Sequence, residues 1–467
     1  MSTLSGIYDM DLSEIRRRLG VGRSFDVIER SMRVEGDRVS FFFVDGFVKD
    51  GVMQRLMQFI SGEKRLGKAP ELAEKLPYVE VRCTSSLDEA ITAVLSGESI
   101  MLSESFGTSI IVIDSRTYPA RATAEPDTDR VMQGARDGFV ETLVMNTALI
   151  RRRIRDPRLT MKHVRVGEES RTDVVLCYMA GVADPKLVYK LEKKLSGIRT
   201  KTLTLGYRSL IECLAPRGWY NPFPKVRMTE RPDTAAAQVL EGSILLICDT
   251  TPQVMILPTS IFDFLSQADD YYFPPLTGSY LRLIRVVILI LSMVATPVWY
   301  LYLEYADVLP DYLRFMIPDN PGALPIILQL FLVEIAIDGL KIASMNTPDM
   351  LSNSLSIVGA LILGDFAVAV GWLSEDVILY MAFVAIATFA QQNAELSYAI
   401  KFVRLVMLLL VFALGIWGLA LGILLFVILI MANRTVTGEV RYLYPLIPFN
   451  PRALLRLLFR TRKKNND

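Results

Sequence analysis

Histidine is nearly missing from this chain, which has one, His163, in 467 residues. A single imidazole leaves little room for a Ser–His or Cys–His catalytic pair and none for a histidine-rich metal site. Glycine-rich phosphate loops, nucleophile elbows and metalloprotease helices are also lacking. No enzymatic activity and no cofactor is therefore expected, and His163, in a polar stretch, reads as an exposed structural residue. The four cysteines, Cys83, Cys177, Cys213 and Cys248, are far apart and lack the paired spacing of a zinc or redox motif. Their apolar neighbours predict buried, reduced core residues. Excess charge of either sign is lacking too: 51 Lys and Arg against 50 Asp and Glu leave +1. With no arginine–aromatic stripe either, nucleic acid is excluded as a partner. The acidic start (Asp9, Asp11, Glu14) gives no cleavable signal before Ser40, so the N-terminal region is expected to stay in the cytoplasm.

What the chain does have is an uneven distribution of apolar residues. Charge is dense up to Arg285, and four uncharged or nearly uncharged stretches of 18 residues or more crowd the remainder. About 20 apolar residues suffice to cross a bilayer. The predicted fold class is mixed: cytoplasmic N-terminal α/β domains followed by a multi-helix transmembrane bundle. Residues 1–126 read as one α/β subdomain, with alternating strands at Ser40–Val48 and Ser109–Ile113 and a polar helical stretch at Val52–Lys68. Pro119–Asp129, with two prolines and three acids, reads as a linker. Residues 130–275 read as a second subdomain. It contains an amphipathic helix ending in Arg151, Arg152 and Arg153, whose charge suits a helix C-terminus. A strand at Asp173–Met179, a helix opened by Asp184 and Pro185, and a strand at Thr200–Leu205 follow.

The transmembrane domain is expected over 282–432, with spans at Val286–Leu303, Ser356–Leu373, Val377–Ala394 and Leu405–Ala432. Gly322–Val333 is a weaker candidate that runs on through Glu334, Asp338 and Lys341. Arg282 and Arg285 precede the first span, and eight Lys or Arg with two acids follow Ala432. Both ends are therefore placed inside, which requires an even number of crossings. Four full spans are the preferred count; a fifth segment would require the 28-residue run Leu405–Ala432 to break near Gly415, Gly418 or Gly422. The basic tail 433–467 includes an amphipathic stretch, Pro451–Lys464, that suits the surface of a lipid bilayer.

Ionisable residues inside spans are expensive and face protein, water or a pore. Asp365 falls in its span with Val358 and Leu361 on the same helical face. In a homo-oligomer that face becomes a carboxylate ring beside a hydrophobic constriction, suited to cations; within one subunit it is a structural hydrogen-bonding group. Glu334, Asp338 and Lys341 share one helical face, so they either line an aqueous vestibule or form a salt-bridged interfacial helix in which Asp338 pairs with Lys341. Asp269 and Asp270, beside Tyr271 and Tyr272, read as a solvated or interfacial loop.

The run Gly138–Leu143, Asn146, Leu149–Pro157 (LIRRRIRDP), Phe223-Pro224, Thr229–Asp233 (TERPD), Leu240–Gly242, Asp270–Tyr272 and Ile357–Gly364 (IVGALILG) resembles the spore germination A-subunit family over roughly residues 130–432. The resemblance implies a spore inner-membrane protein with a cytoplasmic N-terminal region, a pore-forming subunit of an oligomeric channel, and a pore segment at Val358–Asp365. Two departures, Val333–Pro348 in place of a Glu-rich stretch and Asp365 in place of a glutamine, resemble a branch implied to help ion release alongside another spore membrane protein.

Overall fold

The computed structural model describes residues 3–117, 129–215, 220–308, 310–346, 367–391, 393–436 and 442–459. The chain divides into two compact units: Met1–Pro216 with Lys225–Thr259 and Arg434–Glu439, and Arg217–Pro224 with Ser260–Asn433 and Val440–Asp467.

The first unit is built from two α/β repeats with one order of elements. The first repeat runs α1 (Tyr8–Leu19), β1 (Val27–Val34), β2 (Asp37–Val44), α2 (Asp50–Ser61), α3 (Ala69–Lys75), β3 (Val81–Thr84), α4 (Leu87–Leu95), β4 (Ser99–Ser103) and β5 (Ile110–Ile113). The second runs α5 (Leu143–Arg153), β6 (Leu159–Val166), β7 (Thr172–Met179), α6 (Pro185–Ser196), α7 (Tyr207–Leu214), β8 (Arg227–Thr229), α8 (Pro232–Leu240), β9 (Ile244–Cys248) and β10 (Val254–Leu257). Both sheets are antiparallel, with orders β1-β2-β4-β5-β3 and β6-β7-β9-β10-β8. Every strand thus has its counterpart in the other repeat.

Local chemistry explains the boundaries. Glu35 and Gly36, at φ 47° and 103°, form the two-residue turn joining β1 to β2, and positive φ at both positions matches the twist of a hairpin. The Asp184 carboxylate accepts from the Lys186 amide at 2.9 Å, and Pro185 takes the first turn of α6, as the sequence predicts. Two glycines recur. Gly46 and Gly181 follow β2 and β7 at φ 79° and 84°, and Gly97 and Gly242 precede β4 and β9, both at φ 100°.

In each repeat, helices cover both faces of the sheet. α1 and α4 pack on one face of the first sheet, α2 and α3 on the other. α5 and α8 repeat the first arrangement, α6 and α7 the second. Arg151, only 1% exposed, joins the repeats. Its guanidinium donates to Asp26 at 2.7 Å and to the Leu159 carbonyl at 3.0 Å. Arg151, Arg152 and Arg153 do fall in the last turn of α5, where cations suit the helix dipole, and Arg151 has this bridging contact in addition.

Two other expectations fail in this unit. Thr200–Leu205 is not a strand: the Thr200 and Lys201 carbonyls accept from Glu168 and Glu169 amides, loop against loop. Cys177 and Cys248 are core residues, but Cys83 and Cys213 are exposed; all four are free thiols. The Pro119–Asp129 linker lies outside the described residues up to 128.

The second unit is helical: α9 (Asp269–Tyr272), α10 (Pro275–Glu304), α11 (Ile326–Asn346), α12 (Glu375–Phe389), α13 (Ala394–Leu414), α14 (Ile416–Ala432) and α15 (Pro451–Leu458). α10 and α13 are long and apolar enough to cross a membrane; α14 is a shorter apolar helix of 17 residues. α11 is as long as α13, at 21 residues, but carries Glu334, Asp338 and Lys341. Leu405–Ala432 is not one helix. It breaks at Gly415, at φ 56°, and the helix before the break begins at Ala394, so Lys401 and Arg404 lie within it. The Val377–Ala394 segment is a 15-residue helix that stops at Phe389. Of Ser356–Leu373, the described part is one helical turn, Ala367–Ala369, followed by a loop.

Candidate functional site

The charged residues of α11 meet those of α13 near the middle of both helices. Glu334 is buried, and each of its carboxylate oxygens has a cation: Oε2 accepts from Arg404 at 2.7 Å, and Oε1 lies 2.9 Å from the Lys401 ammonium. Lys401 also bonds Asp338, four residues along α11. Arg404 donates in addition to the Ser292 carbonyl of α10 at 3.1 Å, so the cluster ties three helices together. Arg404 stands ten residues into α13, which puts it roughly 15 Å from either helix end.

Lys341 is not the partner of Asp338. Its ammonium sits over the Tyr398 ring at 4.7 Å and the Phe389 ring at 5.9 Å, an attraction to the negative ring face. Glu334, Asp338, Lys341, Thr388, Ser397 and Lys401 line a cavity of about 20 Å³, enough for a water-sized occupant and too small for an organic ligand. Glu334 and Asp338 balance Lys401 and Arg404, so the four bridged residues carry no net charge. Among the described residues, no three of His, Cys, Asp and Glu come together as metal ligands. The pore candidates Val358, Leu361 and Asp365 lie outside the described residues.

Helix direction follows from the same contacts. Gln329, early in α11, accepts from the Ser374 amide just before α12, while Lys341, late in α11, lies over Phe389 at the end of α12. α11 and α12 are therefore parallel. α13 runs against them, and its end at Gly415 lies beside Glu304 and Tyr305 at the end of α10. The chain leaves the described helices at Asn346 at one end of this bundle and is next described at Ala367 at the other.

A second buried ionic group sits at the start of α10. Asp270 is fully buried and accepts from Arg282 at 3.1 Å and from Arg285 at 2.8 Å. It does not belong to a solvated loop; burial of a carboxylate is tolerated here because two guanidinium groups pair with it.

The family described as the Bacillus/Clostridium GerA spore germination protein matches residues 13–467. The chain belongs to the GerA family. Among its GerA relatives, the stage V sporulation protein AF of Bacillus subtilis (strain 168) is 40% identical over 454 residues, 96% of this chain and 91% of that protein. The spore germination protein KA of the same organism is 28% identical over 452 residues, covering 94% and 82%. A crystal structure of the N-terminal domain of the A subunit of the Bacillus megaterium spore germinant receptor GerK3 aligns with 55% of this chain and 96% of that chain, at 23% identity and a TM-score of 0.41.

In this GerA chain Glu334 and Asp338 stand out in the sequence as one charged helical face, whereas Lys401, Arg404 and the pairing of Asp270 with Arg282 and Arg285 do not. The available signal was Lys401 and Arg404 themselves, two cations three residues apart followed by 29 uncharged positions. Starting the span after the last charge removed them from it.

Proposed function

We propose that this GerA-family protein is an oligomeric membrane-channel subunit that helps release monovalent cations across the spore inner membrane during germination. Its α/β repeats would lie in the cytoplasm, and another spore membrane protein would work beside it. The observation that carries this reading is the Glu334–Lys401–Arg404–Asp338 cluster at mid-helix beside a water-sized cavity. Charge at that depth in apolar helices is expensive, and ion pathways are a principal reason to keep it. Glu334 and Asp338 would border the pathway, Asp365 would supply the selectivity carboxylate, and Val358 and Leu361 the constriction.

The test is potassium release from liposomes carrying the purified full-length protein, wild type against Asp365→Asn and Asp338→Asn. Release whose cation preference falls in Asp365→Asn supports the pore assignment. Release with unchanged selectivity removes Asp365 from it. A second reading, a non-conducting scaffold or accessory subunit of a germinant-receptor complex, is favoured by the internal cancellation of the four charges, as expected of structural glue. Liposomes that retain potassium with the protein alone favour that reading.

A further inference from the structure

The end of the helical unit where α10 begins carries features that conduction does not use. α10 has 30 residues, about 45 Å of helix against a hydrocarbon core of about 30 Å, and its uncharged run starts only at Val286. The first three turns, Pro275–Arg285, are surplus to the span. Apart from Thr277, their exposed side chains are nevertheless apolar or aromatic: Leu276 is 85% exposed and Tyr280 59%, and Tyr271 of α9 stands beside them at 53%.

The tail helix α15 joins this end. Asn450 caps it by accepting from the Ala453 amide at 3.2 Å, and Pro451 opens it. Near its other end, the Leu457 carbonyl accepts from Arg282 at 3.1 Å, where a cation also suits the helix dipole. Arg282 thus holds α9, through Asp270, and α15 at once, while its guanidinium lies 4.8 Å over the Tyr271 ring. Leu455 and Phe459 of this segment are exposed, and so is Arg452. Between Val440 and Asn466 the sequence has seven Lys or Arg and no acid. The buried group beneath adds two arginines to one aspartate.

We infer that α9, the first turns of α10 and α15 form one collar that lies in the headgroup layer of an anionic bilayer, with Leu276, Tyr280, Leu455 and Phe459 entering the acyl boundary and Arg452 meeting lipid phosphates. Aromatic and apolar exposure explains the depth, because such side chains favour the interface. The all-basic segment selects the sign of the surface. Arg282 makes the collar continuous with the first membrane helix, so lipid contact at α15 bears on α10 directly. This assignment does not depend on conduction and survives if the channel reading fails.

The test places a nitroxide at position 455 (Leu455→Cys, with the four native cysteines replaced by serine) in the full-length protein. Nanodiscs of phosphatidylglycerol are compared with nanodiscs of phosphatidylcholine. In phosphatidylglycerol the label should be accessible to oxygen and shielded from a water-soluble nickel chelate. Arg452→Gln should lower the odds of that inserted state about fivefold, the worth of one cation near an anionic surface, and Arg452→Lys should restore it. Nickel access in phosphatidylglycerol would overturn the proposal. Shielding from both reagents would overturn it in favour of a protein partner or a second copy of the chain. The same label at Phe459→Cys gives an independent reading should Leu455→Cys perturb the helix.

Discussion

The two α/β repeats share element order, strand order and the conformations of two turn glycines, yet their outer faces differ. In the first repeat, the face covered by α2 and α3 is completed by that repeat's own Tyr78 and Phe106. In the second, the face covered by α6 and α7 takes in Val436, from the segment that follows α14. Lys194 of α6 fixes that segment by donating to the Val436 carbonyl at 2.7 Å. The inner faces are alike and interlocked: Ala148 of α5 enters the core of the first repeat, and Phe25 packs on the core of the second. The two repeats thus share an inner joint and differ at one outer face, which in the second repeat packs Val436.

The joint should show the largest effect. Arg151→Ala leaves Asp26 buried without its cation and should destabilise the repeats by about 3–5 kcal/mol. In urea, followed by circular dichroism in detergent, one transition for the α/β unit should split into two; a single unshifted transition would mean that the repeats are not coupled there. The glycine pairs come next. Alanine at Gly46 or at Gly181 meets the left-handed strain of about 1–2 kcal/mol. At Gly46 the new Cβ would also stand 3.0 Å from the Ala148 Cβ and 3.1 Å from the Val144 carbonyl, whereas nothing lies within 4 Å at Gly181. Gly46→Ala should therefore lose about 1–3 kcal/mol more than Gly181→Ala; equal losses would show that α5 yields.

Lys194→Met should cost about 1 kcal/mol, the usual worth of a hydrogen bond, and should raise amide exchange in α6 and α7 while leaving α2 and α3 unchanged. Exchange rising equally in both repeats would erase the contrast between their outer faces. The smallest perturbation is a thiol count. Burial pushes the Cys177 and Cys248 thiols up to about 12, so at pH 8 they should resist a disulfide reagent that reacts with Cys83 and Cys213. Two thiols should react in the native protein and four after unfolding, the second pair reporting on the core of the second repeat alone.

Where periodicity and local chemistry decided the structure, the sequence was readable. β2, β5, α5, β7 and the start of α6 fall where alternation, amphipathicity and the Asp184–Pro185 cap place them. The duplication was not visible, because what the repeats share in sequence is little more than Val-Leu-x-Gly at 94–97 and 239–242 and single turn glycines. Thr200–Leu205 has strand composition, but its carbonyls are taken by a loop. The helical half misled for another reason: local rules assign a charged residue to water, and Asp270, Lys401 and Arg404 are buried against charged partners 12 to 70 residues away. A search for compensating charges on other helices would have found them; a search for uncharged runs discards them.

The glycines after the break at Gly415 have a mechanical consequence. A side chain at Gly418 would collide with the Leu410 backbone, and one at Gly422 would press on Met407, so α13 and α14 approach each other almost to backbone contact. Helices that close have little play between them. The last turn of α14 is gripped by Asn221, which donates to the Leu429 carbonyl at 2.7 Å. Any side chain at Gly418 or Gly422 would therefore have to push α13 and α14 apart just after the Gly415 turn, so the hairpin in this form depends on both positions staying bare.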